Sequence, residues 1–106
     1  MKEIPNLSYI DTLSKGNTAF AKTLLGIIKK ELLGEIETYQ SHLRNKDFTK
    51  SAEDVHKLHH KIKILGLVEG SEIADEYRSD LLKNNLKLRS DFESILNSIS
   101  LFIKKI

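Results

Sequence analysis

The chain contains no cysteine and only one proline, Pro5, which lies close to the start. Without cysteine there is no disulfide, no thiolate ligand for a metal and no cysteine nucleophile. This absence fits a reducing compartment. From Asn6 onward no proline interrupts the chain. Because proline breaks the interior of a helix, its absence after this point allows long helices anywhere in the remaining sequence.

Long apolar runs are also missing, since the longest contain only a few residues. A helix needs about 20 apolar residues to cross a bilayer. The first segment, Met1 to Ser14, has no apolar core of the length found in signal peptides. We therefore expect no membrane insertion and a cytoplasmic location.

Charge of either sign is balanced, with 17 basic and 15 acidic residues and a net charge of +2. Such a small excess does not by itself indicate a nucleic-acid partner, and we expect none. Hydrophobic residues make up 40% of the 106 positions. This length and composition predict one globular domain over residues 1–106, with one core, and we expect a monomer.

The alternation typical of strands is absent, and apolar residues recur with the 3.6-residue period of helices. The pattern predicts a short helix that ends near Gly16, then a long helix from Thr18 to about Asn45 with Asn17 as its N-cap. Three further helices follow, the second of them starting near Gly70 or Ser71. The fold class predicted is all-α, an antiparallel up-down four-helix bundle with a short extra N-terminal helix. The inward residues predicted for the long helix are Leu25, Ile28, Leu32, Ile36, Tyr39 and Leu43, widened by Phe20, Leu24 and Ile27; those for the last two helices are Ile73, Ala74, Tyr77, Leu81, Leu88, Phe92, Ile95, Ile99, Phe102 and Ile106.

The segment from Val55 to Leu67 has the pattern of an amphipathic helix with a histidine on its solvent-facing side. At 100° per residue, one apolar stripe contains Val55, Leu58, Ile62 and Leu65. His56 points about 140° away from the centre of that stripe, and Lys63 shares its face two turns later. Ser51 with Asp54, Asp47 and Thr49 are alternative caps at the start of this helix, and Gly66 ends it.

His56-x-Leu58, followed by Leu65-Gly66-Leu67, resembles the phosphorylation motif of histidine-containing phosphotransfer (HPt) domains. The segments Tyr9 to Phe20 and Ala74 to Leu81 are similar to other parts of that family. The resemblance implies that His56 accepts a phosphoryl group and that the partners are receiver domains of response regulators or hybrid kinases. It implies no cofactor on this chain, because the receiver holds the Mg²⁺. The chain has no phosphate-binding loop or kinase motif, so we expect a phosphocarrier without autonomous catalytic activity.

Four more residues are candidates for supporting the phosphoryl group or the partner. His59 and His60 stand where the family usually has Lys and often has Gly. His59 is either a packed flank residue or a partial substitute for that lysine, and His60 is either solvated or in contact with the partner. Lys63 is a solvated charge or part of a docking patch. Arg78, twenty-two residues after His56, either reaches the phosphoryl group or pairs with Asp75 or Glu76.

Two other functions remain as alternatives. One is an HPt-like interaction module that binds a receiver without exchanging phosphate. The other is a small metal-binding bundle, because the i, i+3, i+4 spacing of the three histidines can present imidazoles on one helix face. Neither a cysteine nor an H-E-x-x-H pattern completes a ligand set, and we assign no metal site.

Overall fold

The computed structural model describes residues 3–106, and over that range the protein has five α-helices and no β-strand. This confirms the all-α prediction. The long helix begins at the predicted Thr18 and ends one residue before Asn45. The elements are α1 (Ser8–Ser14), α2 (Thr18–Arg44), α3 (Phe48–Ile64), α4 (Val68–Leu81) and α5 (Arg89–Lys105).

Helix α3 lies at the centre of the packing, because it contacts both α2 and α4 over much of its length. α5 contacts α4 and α2, and α1 contacts α2. The stripe predicted for α3 is fully buried: Val55, Leu58, Ile62 and Leu65 are each 0% exposed. Burying such a side chain stabilises a fold by about 1.5–3 kcal/mol relative to leaving it in water. The inward face of α3 is therefore confirmed.

Two tyrosines meet inside the core, where their polar atoms need partners. The hydroxyl groups of Tyr39 on α2 and Tyr77 on α4 are 2.7 Å apart, and Tyr39 also donates to a carboxylate oxygen of Glu93 on α5 at 3.2 Å. Burial, together with the neighbouring Tyr77 and Glu93, raises the pKa of Tyr39. The hydroxyl therefore keeps its proton, and the three residues join three helices through satisfied hydrogen bonds.

The helix ends follow local capping rules. The side chain of Asn17 accepts a hydrogen bond from Phe20 N at 3.0 Å, which confirms the predicted cap of α2. At α3 the cap is Asp47, whose carboxylate accepts from Lys50 N at 3.1 Å. The alternative pair fails because Ser51 and Asp54 lie inside the helix, where both are buried.

Gly66 ends α3 with a backbone that other residues rarely adopt. Its φ is +87°, and the N–H of Leu67 donates to Ile62 O at 3.2 Å. A Cβ built on Gly66 would meet the side chain of Asn6 at 2.5 Å, so the close approach also requires glycine. Asn6 N in turn donates to Leu65 O at 2.8 Å, which ties the N-terminal segment to the end of α3.

The start of α4 is capped by a residue from far away in the chain. The carboxylate of Glu3 accepts from Glu69 N at 3.0 Å and from Gly70 N at 2.9 Å. The local N-cap, Leu67, has no side-chain acceptor. Two orphan N–H groups at the positive end of the helix are thus satisfied by a negative charge. This contact explains why α4 begins at Val68, before the predicted Gly70 or Ser71.

Three residues predicted to face inward are exposed. Phe20 and Ile27 are 49% and 48% exposed, because they point roughly 80° and 100° away from the buried Ile28 on the same helix. Ile106 is 41% exposed, because it follows the last residue of α5.

None of the helices in the described range is long and apolar enough to cross a membrane.

Shortening either central residue of the α3 stripe should destabilise the protein strongly. We expect Leu58→Ala and Ile62→Ala each to lower the free energy of unfolding by about 2–5 kcal/mol, the range for cavities in a packed core. Denaturant unfolding followed by circular dichroism measures the loss. The matched control is Leu82→Ala at a 57% exposed site, which should change stability by about 0.5 kcal/mol or less. Equal losses at Leu58 and Leu82 would contradict the assigned core.

Candidate functional site

The candidate site is the outer face of α3, where three imidazole rings lie together. His56 and His60 are exposed, and His59 is half-buried towards α4. The ring centroids of His56 and His60 are 4.9 Å apart, and those of His56 and His59 are 6.3 Å apart with nearly parallel planes. His56 therefore points to solvent as predicted, from a helix whose opposite side is locked in the core.

His59 is the least accessible of the three imidazoles. Its Nε2 lies 2.8 Å from the hydroxyl oxygen of Ser71 on α4. Its Nδ1 is buried and has no hydrogen-bond partner among the described residues. Burial lowers the pKa of His59, with smaller effects from its neighbours: Asp75 raises it, and His60, His56 and Lys63 lower it. The ring is therefore held neutral, as a packed flank residue with a polar contact.

The lysines of α3 divide into exposed and paired ones. Lys63 is exposed, as expected for a residue on the face of His56. Lys61 differs, because its side chain is only 13% exposed and its ammonium nitrogen lies 3.1 Å from a carboxylate oxygen of Glu31 and 3.0 Å from one of Glu35. Its long aliphatic stem runs along α2 while the ammonium group meets two carboxylates. Lys61 thus holds α2 and α3 together.

Arg78 is half-buried on α4. The ion pair that we considered with Asp75 or Glu76 does not form, since no salt bridge of Arg78 occurs within residues 3–106. Its guanidinium group is therefore free of carboxylate partners on its own helix. Its role towards a phosphoryl group stays a prediction.

A histidine that sequence reasoning overlooked pairs α2 with α3. Nδ1 of His42 lies 2.5 Å from a carboxylate oxygen of Asp54, whose side chain is 9% exposed. The sequence does contain a signal for a buried pair at Asp54, because this residue lies only about 60° from the centre of the apolar stripe. A carboxylate so close to the core needs a partner. This pair lies on the side of α3 that faces α2, away from His56.

The same side carries a groove of about 400 Å³ between α2 and α3. Its lining residues bring both signs of charge, and they include the buried Asp54 and the exposed Lys57. No imidazole of the three-histidine face takes part in this lining. The groove and the exposed histidine are therefore separate features of the surface.

The chemistry that the three-histidine face offers is that of neutral imidazole nitrogens on a rigid support. A neutral imidazole has one ring nitrogen with a free lone pair. The described residues contain no group of three or more histidine, aspartate, glutamate or cysteine side chains placed to hold one metal ion. The face therefore presents nucleophilic nitrogens rather than an assembled ligand set.

The chain was also compared with known proteins. None of the family models matches it, and no curated protein or solved structure does.

Charge reversal at Lys61 and Lys63 should separate the two kinds of lysine. We expect Lys61→Glu to cost more than the ~1 kcal/mol of an exposed pair and less than the ~3–5 kcal/mol of a fully buried one, because it leaves Glu31 and Glu35 beside a third carboxylate. Lys63→Glu, two residues away on the same helix, should leave the melting temperature nearly unchanged. Thermal melts of both variants test the difference, and equal stability would refute the clamp formed by Lys61.

Proposed function

We propose that the protein is a histidine phosphocarrier of a two-component phosphorelay, in which His56 accepts a phosphoryl group from one receiver-domain aspartate and donates it to another. The proposal includes an antiparallel up-down order of helices α2 to α5. It also includes a monomeric, cytoplasmic protein whose partners are receiver domains of response regulators or hybrid kinases. The resemblance of the histidine segment and of the flanking segments to HPt domains is its starting point.

The observation that carries the proposal is the position of His56 on α3. The residue is exposed, while the stripe on the other side of the helix is 0% exposed. A nucleophile for phosphoryl transfer must be accessible to a large partner and must be held in line with the bond that breaks. An imidazole on a helix that is anchored to two neighbours meets both needs.

In the proposed step the lone pair of the His56 imidazole attacks the phosphorus of an aspartyl phosphate. The phosphorus–oxygen bond to the receiver breaks, the aspartate leaves as a carboxylate, and a phosphorus–nitrogen bond forms. The receiver supplies the acidic pocket and its Mg²⁺. This chain contributes position and charge, which do most of the work in phosphoryl transfer. Because a protonated imidazole has no free lone pair, His56 must be neutral to make this attack.

The surroundings of His56 support the residues proposed to assist it. His59 and His60 lie within 6.3 Å and 4.9 Å of its ring, measured between centroids. Lys63 is exposed on the same face, where an ammonium group can attract an acidic receiver and a phosphoryl group. Arg78, on α4, forms no salt bridge within residues 3–106 that would compete. The metal-binding alternative receives no comparable support.

Label transfer tests the acceptor directly. We expect His56→Gln to abolish uptake of phosphate from a phosphorylated receiver, because glutamine has no nucleophilic ring nitrogen. His59→Gln and His60→Gln should retain a measurable level. Gel autoradiography with acid and alkali treatment of the product measures it. Label that survives in His56→Gln would refute the assignment, and binding of the receiver without label in the wild type would favour the pure interaction module.

Lys63 tests the docking surface. We expect Lys63→Glu to slow transfer from an acidic receiver and to flatten its dependence on salt, because exposed charges act mainly on association. Lys87→Glu is the matched control, since Lys87 is exposed in the connection between α4 and α5. Rates measured over a salt series decide the matter. If both variants transfer phosphate at the same rate at every salt concentration, the basic rim is only a solvated surface.

A further inference from the structure

Two imidazoles lie close to His56 on its own helix. The His60 and His59 ring centroids lie 4.9 Å and 6.3 Å from the His56 centroid, and the two rings are themselves 5.5 Å apart. A phosphoryl group carries roughly two negative charges near neutral pH. Besides the ammonium group of Lys63, a ring that gains a proton would supply a second positive charge close to this product.

His59 is placed to make that change. The groups around it act in opposite directions. His56, His60 and Lys63 on α3 oppose a positive charge on its ring, and Asp75 on α4 favours one. Burial opposes it most strongly. The ring is therefore neutral while His56 is free. A phosphoryl group on His56 would add negative charge on the α3 side, and this charge would favour a protonated His59 ring.

The contact with Ser71 allows both protonation states of His59. The hydroxyl oxygen lies 2.8 Å from Nε2, and a serine hydroxyl can donate to a bare ring nitrogen or accept from a protonated one. Rotation of one hydroxyl hydrogen is enough to keep this bond in either state. The ring therefore needs no change of rotamer to gain a proton.

We propose that His59 takes up a proton when His56 is phosphorylated, and so supplies the positive charge that stabilises the phosphohistidine. The inference rests on the phosphocarrier function proposed above and adds a regulation to it, because formation of the product then depends on pH. His59 acts as a positioning residue through charge. It does not itself bond to phosphorus.

In the proposed step the neutral His56 ring attacks phosphorus through its bare nitrogen, and the proton on its other nitrogen passes to solvent, so that the phosphorylated ring is neutral. The donor oxygen leaves with the bonding electron pair. One further proton moves from solvent to His59, and no oxidant, reductant or second substrate takes part. Since His59 holds one more proton in the phosphorylated protein than in the free protein, this residue makes a lower pH favour the product over the range between its two titration midpoints.

The test is a histidine titration of the full chain by NMR. The ¹⁵N-labelled protein is phosphorylated with phosphoramidate, a small donor that requires no receiver, and the ring signals of His59 are followed against pH in both forms. We expect the His59 midpoint to rise by about one unit, since an opposite charge at 4–6 Å raises the pKa of a histidine by about 1–3 units and partial exposure weakens it. The ring of His42, bonded to Asp54 on the other side of α3, is the internal reference.

A second measurement reads the coupling in the reaction itself. The equilibrium constant for transfer from a phosphorylated receiver is determined at several pH values for the wild type and for His59→Gln. We expect the ratio of the two constants to rise as pH falls, by up to about tenfold for a one-unit shift of the midpoint. Taking the ratio removes the pH dependence of the receiver. The NMR titration uses the wild type only and stays decisive if His59→Gln fails to fold.

The outcomes separate the two proposals. If neither phosphoramidate nor a phosphorylated receiver modifies His56, the phosphocarrier function fails and this inference fails with it. If His56 is phosphorylated but the His59 midpoint moves by less than about 0.3 units, far below the shift that a nearby opposite charge causes, only the inference is overturned. The same holds if the wild type and His59→Gln show the same pH dependence.

Discussion

The burial of one aliphatic stripe on α3 is the constraint on which the remainder of the structure depends. Four side chains, Val55, Leu58, Ile62 and Leu65, have no contact with water and face both α2 and α4. A helix that is anchored along its whole length in this way has one free face only. The exposed histidine occupies that face. The buried stripe and the exposed histidine therefore lie on opposite sides of one helix.

Much of the fold is readable from local rules. The period of apolar residues identifies the inner faces of α2 and α3, Asn17 marks the start of α2, and Gly66 marks the end of α3. The rules fail where neighbours in space decide. Phe20 and Ile27 are apolar but exposed, because they point away from the buried face of α2. Glu3 caps α4 from more than sixty residues away, which no local pattern reveals.

The candidate site divides in the same way. The outward direction of His56 follows from its angle to the stripe, which needs only the helical period. The partners of Lys61 and Asp54 depend instead on how α2 and α3 are aligned, and on a lysine stem long enough to reach Glu31 and Glu35. Ser71 likewise meets His59 only after α4 has packed on α3. The apolar period of each helix gives no indication that these residues meet.

The polar contacts on the two flanks of α3 have a consequence for its rotation about its own axis. Towards α2 it is held by the bonds of Asp54 and Lys61, and towards α4 by the bond between His59 and Ser71. An aliphatic core tolerates substitutions of similar volume. Apolar contacts therefore fix the rotation of a helix about its axis less sharply than hydrogen bonds, which depend on direction. These bonds therefore act together with the buried stripe to fix the direction in which the His56 ring points. We expect a sequence that kept the core but lost these polar contacts to keep its helices, while the direction of its His56 ring would be less well fixed.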